Sequence, residues 1–100
     1  MKYFIAESRL LSPLPISQQE FAEKYLPMHE KHIADGIAEG IVLFAGPKVS
    51  EGGGIMVARA ETREALDAFL DADPFTCFGL ARFEVKEFMM KDRSDIVMGF

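Results

Sequence analysis

Two residues of this sequence combine a suitable side chain with a suitable setting for proton transfer, His29 and Asp73. His29 lies in a helical pattern, and at roughly 100° per residue it falls near the centre of that helix's apolar arc. A histidine in this position faces the interior and needs a hydrogen-bond partner there. His29 is therefore a candidate acid/base, with a satisfied core histidine as the simpler alternative.

Asp73 stands directly before Pro74, at the end of a second helical pattern, in the stretch DADPF. The segment Asp-Pro-Phe-Thr suits a type I turn whose carboxylate accepts hydrogen bonds from downstream amides. The alternative is a carboxylate that transfers a proton or orients a histidine. The two roles are compatible, since a turn can fix the position of a working carboxylate. Asp71 is expected to be a solvated residue at the helix end.

Three other features invite a functional interpretation and favour a structural one. His32 falls toward the charged side of the helix, so we expect it to be solvated; it points about 60° away from His29, which disfavours a shared metal. Cys77 is the only cysteine, which excludes an internal disulfide, and its apolar surroundings predict a small buried hydrophobe. The glycines at 52–54 lead into a strand rather than a helix, so they predict a hairpin or site lid and not a phosphate loop.

Composition and charge narrow the classes of function. The 100 residues form one domain, residues 1–100, with a net charge of −5 and no basic block, which argues against non-specific binding to nucleic acid or anionic membranes. No apolar run approaches the ~18 residues of a membrane span. Glu7 and Arg9 interrupt any signal-peptide core, so we expect a cytoplasmic protein. With no HExxH pattern and no cysteine pair, we expect no metal site and no cofactor.

The candidate residues depend on two helices for their positions. Ser17 and Glu20 predict a capping box at the start of the first helix. Pro27 should cause a kink in this helix, and the helix should end at Gly36 or Gly40. Thr62 caps the second helix, whose apolar positions Leu66, Phe69 and Leu70 follow helical spacing and which must end before Pro74.

Four apolar or alternating segments predict strands at 3–7, 41–46, 54–60 and 80–88. The resulting order β-α-β-β-α-β is the ferredoxin-like arrangement, an α+β fold with an antiparallel sheet and both helices on one face. One layer of helices leaves the other face of the sheet uncovered, and two of its strands are apolar at nearly every residue. We therefore expect a homodimer that packs two sheets face to face. The segment 91–100 is expected to add an edge strand or a partner contact.

The sequence resembles the YCII-related family of small α+β proteins. The resemblance lies in His29, in Glu39-Gly40, in the strand ending Ala45-Gly46-Pro47, in the turn Asp73-Pro74-Phe75 and in Gly79-Leu80. It covers most of the chain. It implies a dimeric α+β barrel in which His29 and Asp73 form a site dyad. Family members often carry arginine at the position of Leu26; if that arginine binds an anionic substrate, the resemblance implies a different ligand here.

Two classes of function follow. In the first, His29 and Asp73 transfer protons on a small organic substrate, as an isomerase, lyase or dehydrohalogenase, in a pocket between the first helix and the sheet lined by Phe44 and Phe75. In the second, a non-catalytic ligand-binding or dimerisation module uses the pair structurally. A third alternative, a heme- or metal-handling barrel, requires a histidine that faces an open cavity. The substrate is not identified by the sequence.

Overall fold

Four strands form one antiparallel sheet within residues 1–94, the part of the chain that the computed structural model describes. The sheet order β2-β3-β1-β4 confirms the ferredoxin-like prediction. The strands are β1 (Lys2–Leu10), β2 (Val42–Pro47), β3 (Gly54–Ala60) and β4 (Ala81–Phe88). β2 and β3 pair as a hairpin, as their short connection predicted.

The helical segments follow the predicted caps. They are α1 (Gln18–Glu20), a π-helical turn (Phe21–Tyr25), α2 (Leu26–Ala38), α3 (Arg63–Asp71) and α4 (Pro74–Cys77). The hydroxyl of Ser17 accepts the amide N–H of Glu20 at 3.0 Å, and that of Thr62 accepts the amide N–H of Ala65 at 3.1 Å. Both side chains satisfy amides that a helix start leaves unpaired.

A π-helical turn stands directly before Pro27, in the region where the sequence predicts a kink. The ring of Pro27 crowds the carbonyl of residue 23 and supplies no N–H, so an α-helical turn at this point is disfavoured. The chain widens instead, and the N–H of Leu26 donates to the carbonyl of Phe21, five residues back. α2 then begins with Pro27 in its first turn, where a missing N–H costs little.

The core lies between the helices and one face of the sheet. Alternate residues of β1 and β3, such as Phe4, Ala6, Met56 and Ala58, are buried there with Leu66 and Leu70 of α3. β4 alternates as predicted, with half-buried Phe83 and Val85 packed against the same core. The helices therefore cover a single sheet face, which also carries the candidate site.

The other sheet face carries exposed apolar side chains. Ile5 is 42% exposed and Ile55 is 46% exposed, and both alternate with buried neighbours on their strands. Phe44 joins them because the register of β2 shifts between Val42 and Phe44 and sets Phe44 opposite Val57. The predicted position of Phe44 in the pocket is therefore wrong for a single subunit, since a bulge turns the following side chain to the opposite face.

The sequence leaves Gly36 and Gly40 as two alternatives for the end of α2, and Gly36 is not that end. It is buried within α2, where an added Cβ would come within 2.5 Å of the Phe69 ring and 2.9 Å of the Val42 side chain. α2 ends at Ala38, and Gly40 takes the left-handed conformation with φ of 79°, which glycine adopts at little cost.

Two predictions concern the chain outside the core. The segment 91–100 is predicted from the sequence to add an edge strand or a partner contact. Residues 91–94 form no strand, and residues 95–100 lie outside the described part of the chain. Among residues 1–94, no helix has both the length and the apolar character to cross a membrane.

Candidate functional site

α2 and the sheet enclose a cleft of about 570 Å³ beside His29. One face of α2 lines the cleft, because Leu26, His29, Ile33 and Ile37 repeat at helical spacing. The side chain of His29 is 19% exposed, so the imidazole is partly accessible from the cleft. This places His29 on the apolar side of the helix, as the helical wheel predicted.

His29 and Asp73 meet although they lie 44 residues apart in the sequence. The Nδ1 atom of His29 lies 3.0 Å from Oδ1 of Asp73 and 2.8 Å from Oδ2. The Asp73 side chain is 0% exposed, so the carboxylate has no contact with water. Because a carboxylate accepts hydrogen bonds, the imidazole must donate its Nδ1–H to Asp73. The Nε2 atom has no hydrogen-bond partner within residues 1–94.

Asp73 owes its position to the turn that Pro74 begins. Oδ1 of Asp73 accepts the amide N–H of Phe75 at 2.8 Å, and the backbone carbonyl of Asp73 accepts the N–H groups of Thr76 and Cys77. Asp73 thus caps the short helix α4, which extends the predicted turn by a few residues. The capping bond and the contact with His29 use the same carboxylate.

Aromatic stacking fixes the plane of the imidazole. The rings of His29 and Phe75 are parallel to within 5° with centroids 4.0 Å apart. Phe75 stacks in turn on Phe21, at 5.2 Å. Phe75 lines the cleft, as predicted, and stands directly against His29. The three stacked rings restrict the rotation of His29 and hold Nε2 in one direction.

The lining of the cleft is mostly apolar. His29, Ser8, Glu30 and Glu51 contribute its polar and charged side chains, and no lysine or arginine of residues 1–94 lines it. The apolar lining includes Leu26, Ile33, Ile37, Met56, Phe75 and Phe83. Such a lining suits an apolar organic ligand, which the few polar groups would orient.

The β2–β3 hairpin forms one wall of the cleft through Gly52, Gly53 and Gly54. The amide N–H of Gly54 donates to the hydroxyl of Ser8 at 2.8 Å, which ties the hairpin to β1. Gly53 has a φ of 85°, and an added Cβ would overlap the carbonyl oxygen of Ser8. The glycines therefore permit a close approach of two backbones, and they do not open a helix as a phosphate loop would.

Two predictions from the sequence are wrong, the solvated position of His32 and the buried position of Cys77. His32 is not solvated, because its ring stacks on Phe69 and its Nε2 bonds the carbonyl of Phe69 at 2.8 Å. Cys77 is not buried; it is exposed, and its thiol donates to the carbonyl of Asp71 at 3.1 Å. Asp71 is exposed, as expected. Within residues 1–94, no three His, Cys, Asp or Glu side chains come together as a metal site would require.

Three polar residues of the cleft escaped prediction from the sequence, namely Ser8, Glu30 and Glu51. Ser8 continues the buried alternation of Phe4 and Ala6 along β1, a pattern that could have identified it as a polar residue on the core side. Glu30 follows His29 directly, but adjacent residues of a helix point about 100° apart, so the spacing gave no sign of a shared cleft.

Comparisons with known proteins agree with this architecture. The family model for the YCII-related domain matches residues 9–89. No protein with curated function matches the sequence. A solved structure of 5-chloro-2-hydroxyhydroquinone dehydrochlorinase from Burkholderia phenoliruptrix AC1100, in complex with 2,5-dihydroxybenzoquinone, superposes with a TM-score of 0.68 at 21% identity, covering 87% of this chain and 93% of the other.

A crystal structure of muconolactone isomerase superposes with a TM-score of 0.75 at 16% identity and covers 92% of this chain and 93% of the other. At such low identities the likeness concerns the fold. It confirms an α+β subunit of the kind predicted, with helices against a four-stranded antiparallel sheet.

Proposed function

The chain belongs to the YCII-related family, and from that premise we propose that it is an enzyme that transfers protons on a small organic substrate. His29 is the acid/base, and Asp73 is the residue that positions it. One geometric fact supports this most strongly: Nδ1 of His29 is held by a buried carboxylate, while Nε2 has no partner within residues 1–94 and its ring borders a cleft.

The chemistry follows from the tautomer that Asp73 selects. With its proton on Nδ1, neutral His29 carries a lone pair on Nε2 and acts as a general base toward a ligand in the cleft. The imidazolium formed by proton uptake is stabilised by the adjacent carboxylate, and it then serves as the acid that returns the proton. The mostly apolar lining of the cleft strengthens both interactions.

Two reaction types fit this cycle. In an isomerisation, Nε2 removes a proton from a carbon next to a carbonyl group and returns it to another atom of the same molecule. In an elimination, the C–H bond breaks, its electrons form a double bond, and a leaving group such as chloride departs with the electron pair of its own bond. The dehydrochlorinase and the isomerase that share this fold support both types, by analogy.

A non-catalytic ligand-binding module is the second candidate. Ser8, Glu30 and Glu51 are the other polar side chains of the described cleft, and none of them is hydrogen-bonded to His29. A binding protein would use the same apolar lining and would hold His29 for structure alone. Turnover distinguishes the two functions, since only the enzyme converts its ligand.

We also propose that the subunit forms a homodimer through the uncovered sheet face. Ile5, Ile55 and Phe44 expose apolar area there, and the ring of Phe88 lies tilted against that of Tyr3 at one side, with centroids 6.4 Å apart. Apolar patches of this kind are usually covered by a partner. A second copy is the natural partner, because each copy presents the same apolar sheet face to the other.

A substrate panel with matched histidine variants tests the enzymatic proposal. Wild-type protein is assayed against small carbonyl compounds, lactones and halogenated hydroxylated rings. His29→Gln should lower kcat/KM by about 10²-fold or more, the typical contribution of a general acid/base. His32→Gln is the control, since His32 lies on the same helix and bonds a backbone carbonyl away from the cleft. Equal rates for His29→Gln and wild type on every converted compound would refute the proposal.

A further inference from the structure

The charge of the cleft points to the class of its ligand. Glu30 and Glu51 are its charged lining residues besides the His29–Asp73 pair, and both are acidic. No cation of residues 1–94 lines the cleft, and the remaining segment, DIVMGF at 95–100, contains neither lysine nor arginine. The chain therefore offers no permanent positive charge to an anionic ligand.

Protonation of His29 does not supply a net positive charge either. Asp73 already lies 2.8 Å from Nδ1, so a positive imidazolium would be neutralised by its own partner. A carboxylate entering the cleft would lose its hydration and find no counter-ion, which is unfavourable in an apolar setting. It would also approach the negative charge at the rim.

Glu30 is the main source of that rim charge. It is exposed and makes no hydrogen bond or ion pair within residues 1–94. Glu51 is partly compensated by Lys48, whose Nζ lies 3.8 Å from it, although Lys48 bonds Glu7 more closely, at 3.0 Å. Glu30 also follows His29 directly in α2. Its charge thus acts close to the reacting group.

We propose that the cleft selects uncharged ring compounds and rejects carboxylates, with Glu30 as the specificity-determining residue. This inference rests on the proposed function only for the location of the site, and it deepens that proposal by naming the substrate class. The ligand is a neutral ring compound whose apolar face packs on the cleft lining. An acid of the same shape is excluded by charge.

Binding of two probes of nearly equal shape tests the selectivity without any turnover. Naphthalene-2-carboxamide is neutral, and naphthalene-2-carboxylate is its anionic counterpart. We expect the amide to bind wild-type protein roughly tenfold more tightly at low ionic strength. A tenfold ratio corresponds to about 1.4 kcal/mol, and like charges ~4 Å apart in water repel each other by about 1 kcal/mol. At ~1 M salt the Debye length falls to ~3 Å, so the ratio should shrink.

The variant Glu30→Lys should reverse or abolish the preference by strengthening carboxylate binding. Glu39→Lys is the control, because Glu39 lies just after the same helix, undergoes the same charge change and does not line the cleft. Equal affinities of wild-type protein for the two probes would overturn the proposal, as would failure of both probes to bind. An unchanged ratio in Glu30→Lys would overturn the role of Glu30.

These results are separable from the enzymatic proposal. If the amide is preferred while His29→Gln leaves all turnover unchanged, the charge selectivity stands and the acid/base role of His29 fails. If the probes bind equally while His29→Gln abolishes turnover, the acid/base role stands and the selectivity fails.

Discussion

The ring of Phe75 lies parallel to the imidazole of His29 with their centroids 4.0 Å apart, and the amide of Phe75 donates to Asp73. One residue thus supports both members of the pair, His29 through its side chain and Asp73 through its backbone. The proline at 74 and the cap at Asp73 bring this about, because they turn the chain from α3 back toward α2.

Replacement of Phe75 by leucine should loosen His29 and leave Asp73 in place. Phe75 is buried between two rings, so we expect a loss of about 1–3 kcal/mol in the free energy of unfolding, measured by urea titration. The backbone bond to Asp73 does not depend on the side chain and should persist. Phe78→Leu is the control, because the ring of Phe78 contacts that of Tyr25 in a tilted arrangement but is half exposed. An equal or larger loss in Phe78→Leu would contradict this assignment.

Gly53→Ala should displace the hairpin that walls the cleft. The φ of 85° is strained for alanine, and the new methyl group would overlap the carbonyl of Ser8. We expect a destabilisation of about 1–3 kcal/mol, measured as the shift in the urea midpoint. Gly46→Ala is the control, since a Cβ there meets no atom within 4 Å. A neutral Gly53→Ala would show that the hairpin moves freely away from β1.

The ion pair of Glu7 with Lys48 predicts a pH dependence of stability. The hydrogen bond from Lys48 lowers the pKa of Glu7 below its ordinary value of 4.5, and the charges of Arg9, Lys48 and Lys86 act in the same direction. Because the folded-state pKa is depressed, Glu7 stabilises the fold above pH 4.5, and this stabilisation is lost as the pH falls through the folded-state value.

Thermal unfolding from neutral to acid pH measures this contribution. Glu7→Gln should reduce the difference in Tm between neutral and acid solution relative to wild type. Glu64→Gln is the control, because Glu64 is exposed and makes no hydrogen bond or ion pair within residues 1–94. Identical acid-side profiles for wild type and Glu7→Gln would contradict the assignment.

A charge on the uncovered sheet face should separate the proposed dimer. Ile5→Glu puts a carboxylate at the centre of that face, opposite Val57 on β3, where burial against a second copy would be costly. We expect a dimeric mass for wild type and a monomeric mass for Ile5→Glu by light scattering. Ile37→Glu controls for a charge on an exposed apolar residue of the helix side. A monomeric wild type would contradict the dimer.

Much of the fold follows from local rules in the sequence. Ser17, Thr62 and Pro74 mark helix boundaries through backbone chemistry that depends on a few neighbours, and the alternation of β4 reports one buried face. The side of α2 that carries His29 was predictable for the same reason, since helical periodicity is local. These features led to the correct order of elements.

Features that depend on distant packing were not predictable in this way. The register shift before Phe44 reverses the face of that residue without any signal in its own strand. His32 is half-buried because α3 supplies Phe69, and Gly36 is needed inside α2 because the same ring passes close to it. The pairing of His29 with Asp73 came from family resemblance, since no local pattern links residues 44 positions apart.

Asp73→Asn should preserve the cap and damage the pair. The asparagine oxygen can still accept the amide N–H of Phe75, which leaves its NH₂ group to face Nδ1 of His29. Nδ1 must then accept, so the ring proton moves to Nε2 and the general base is lost. We expect kcat/KM to fall by about 10²- to 10⁴-fold on any converted substrate, with the fold retained by circular dichroism. Unchanged turnover would contradict the positioning role of Asp73.

The tautomer of His29 tests the central claim most directly, because it needs no substrate. Long-range proton–nitrogen correlation spectra of ¹⁵N-labelled protein, recorded with rising pH until the imidazole is neutral, report which ring nitrogen carries the proton. The His29–Asp73 geometry predicts the proton on Nδ1 in wild-type protein and on Nε2 in Asp73→Asn. A wild-type His29 with its proton on Nε2 would contradict the account, because that nitrogen could not act as the base.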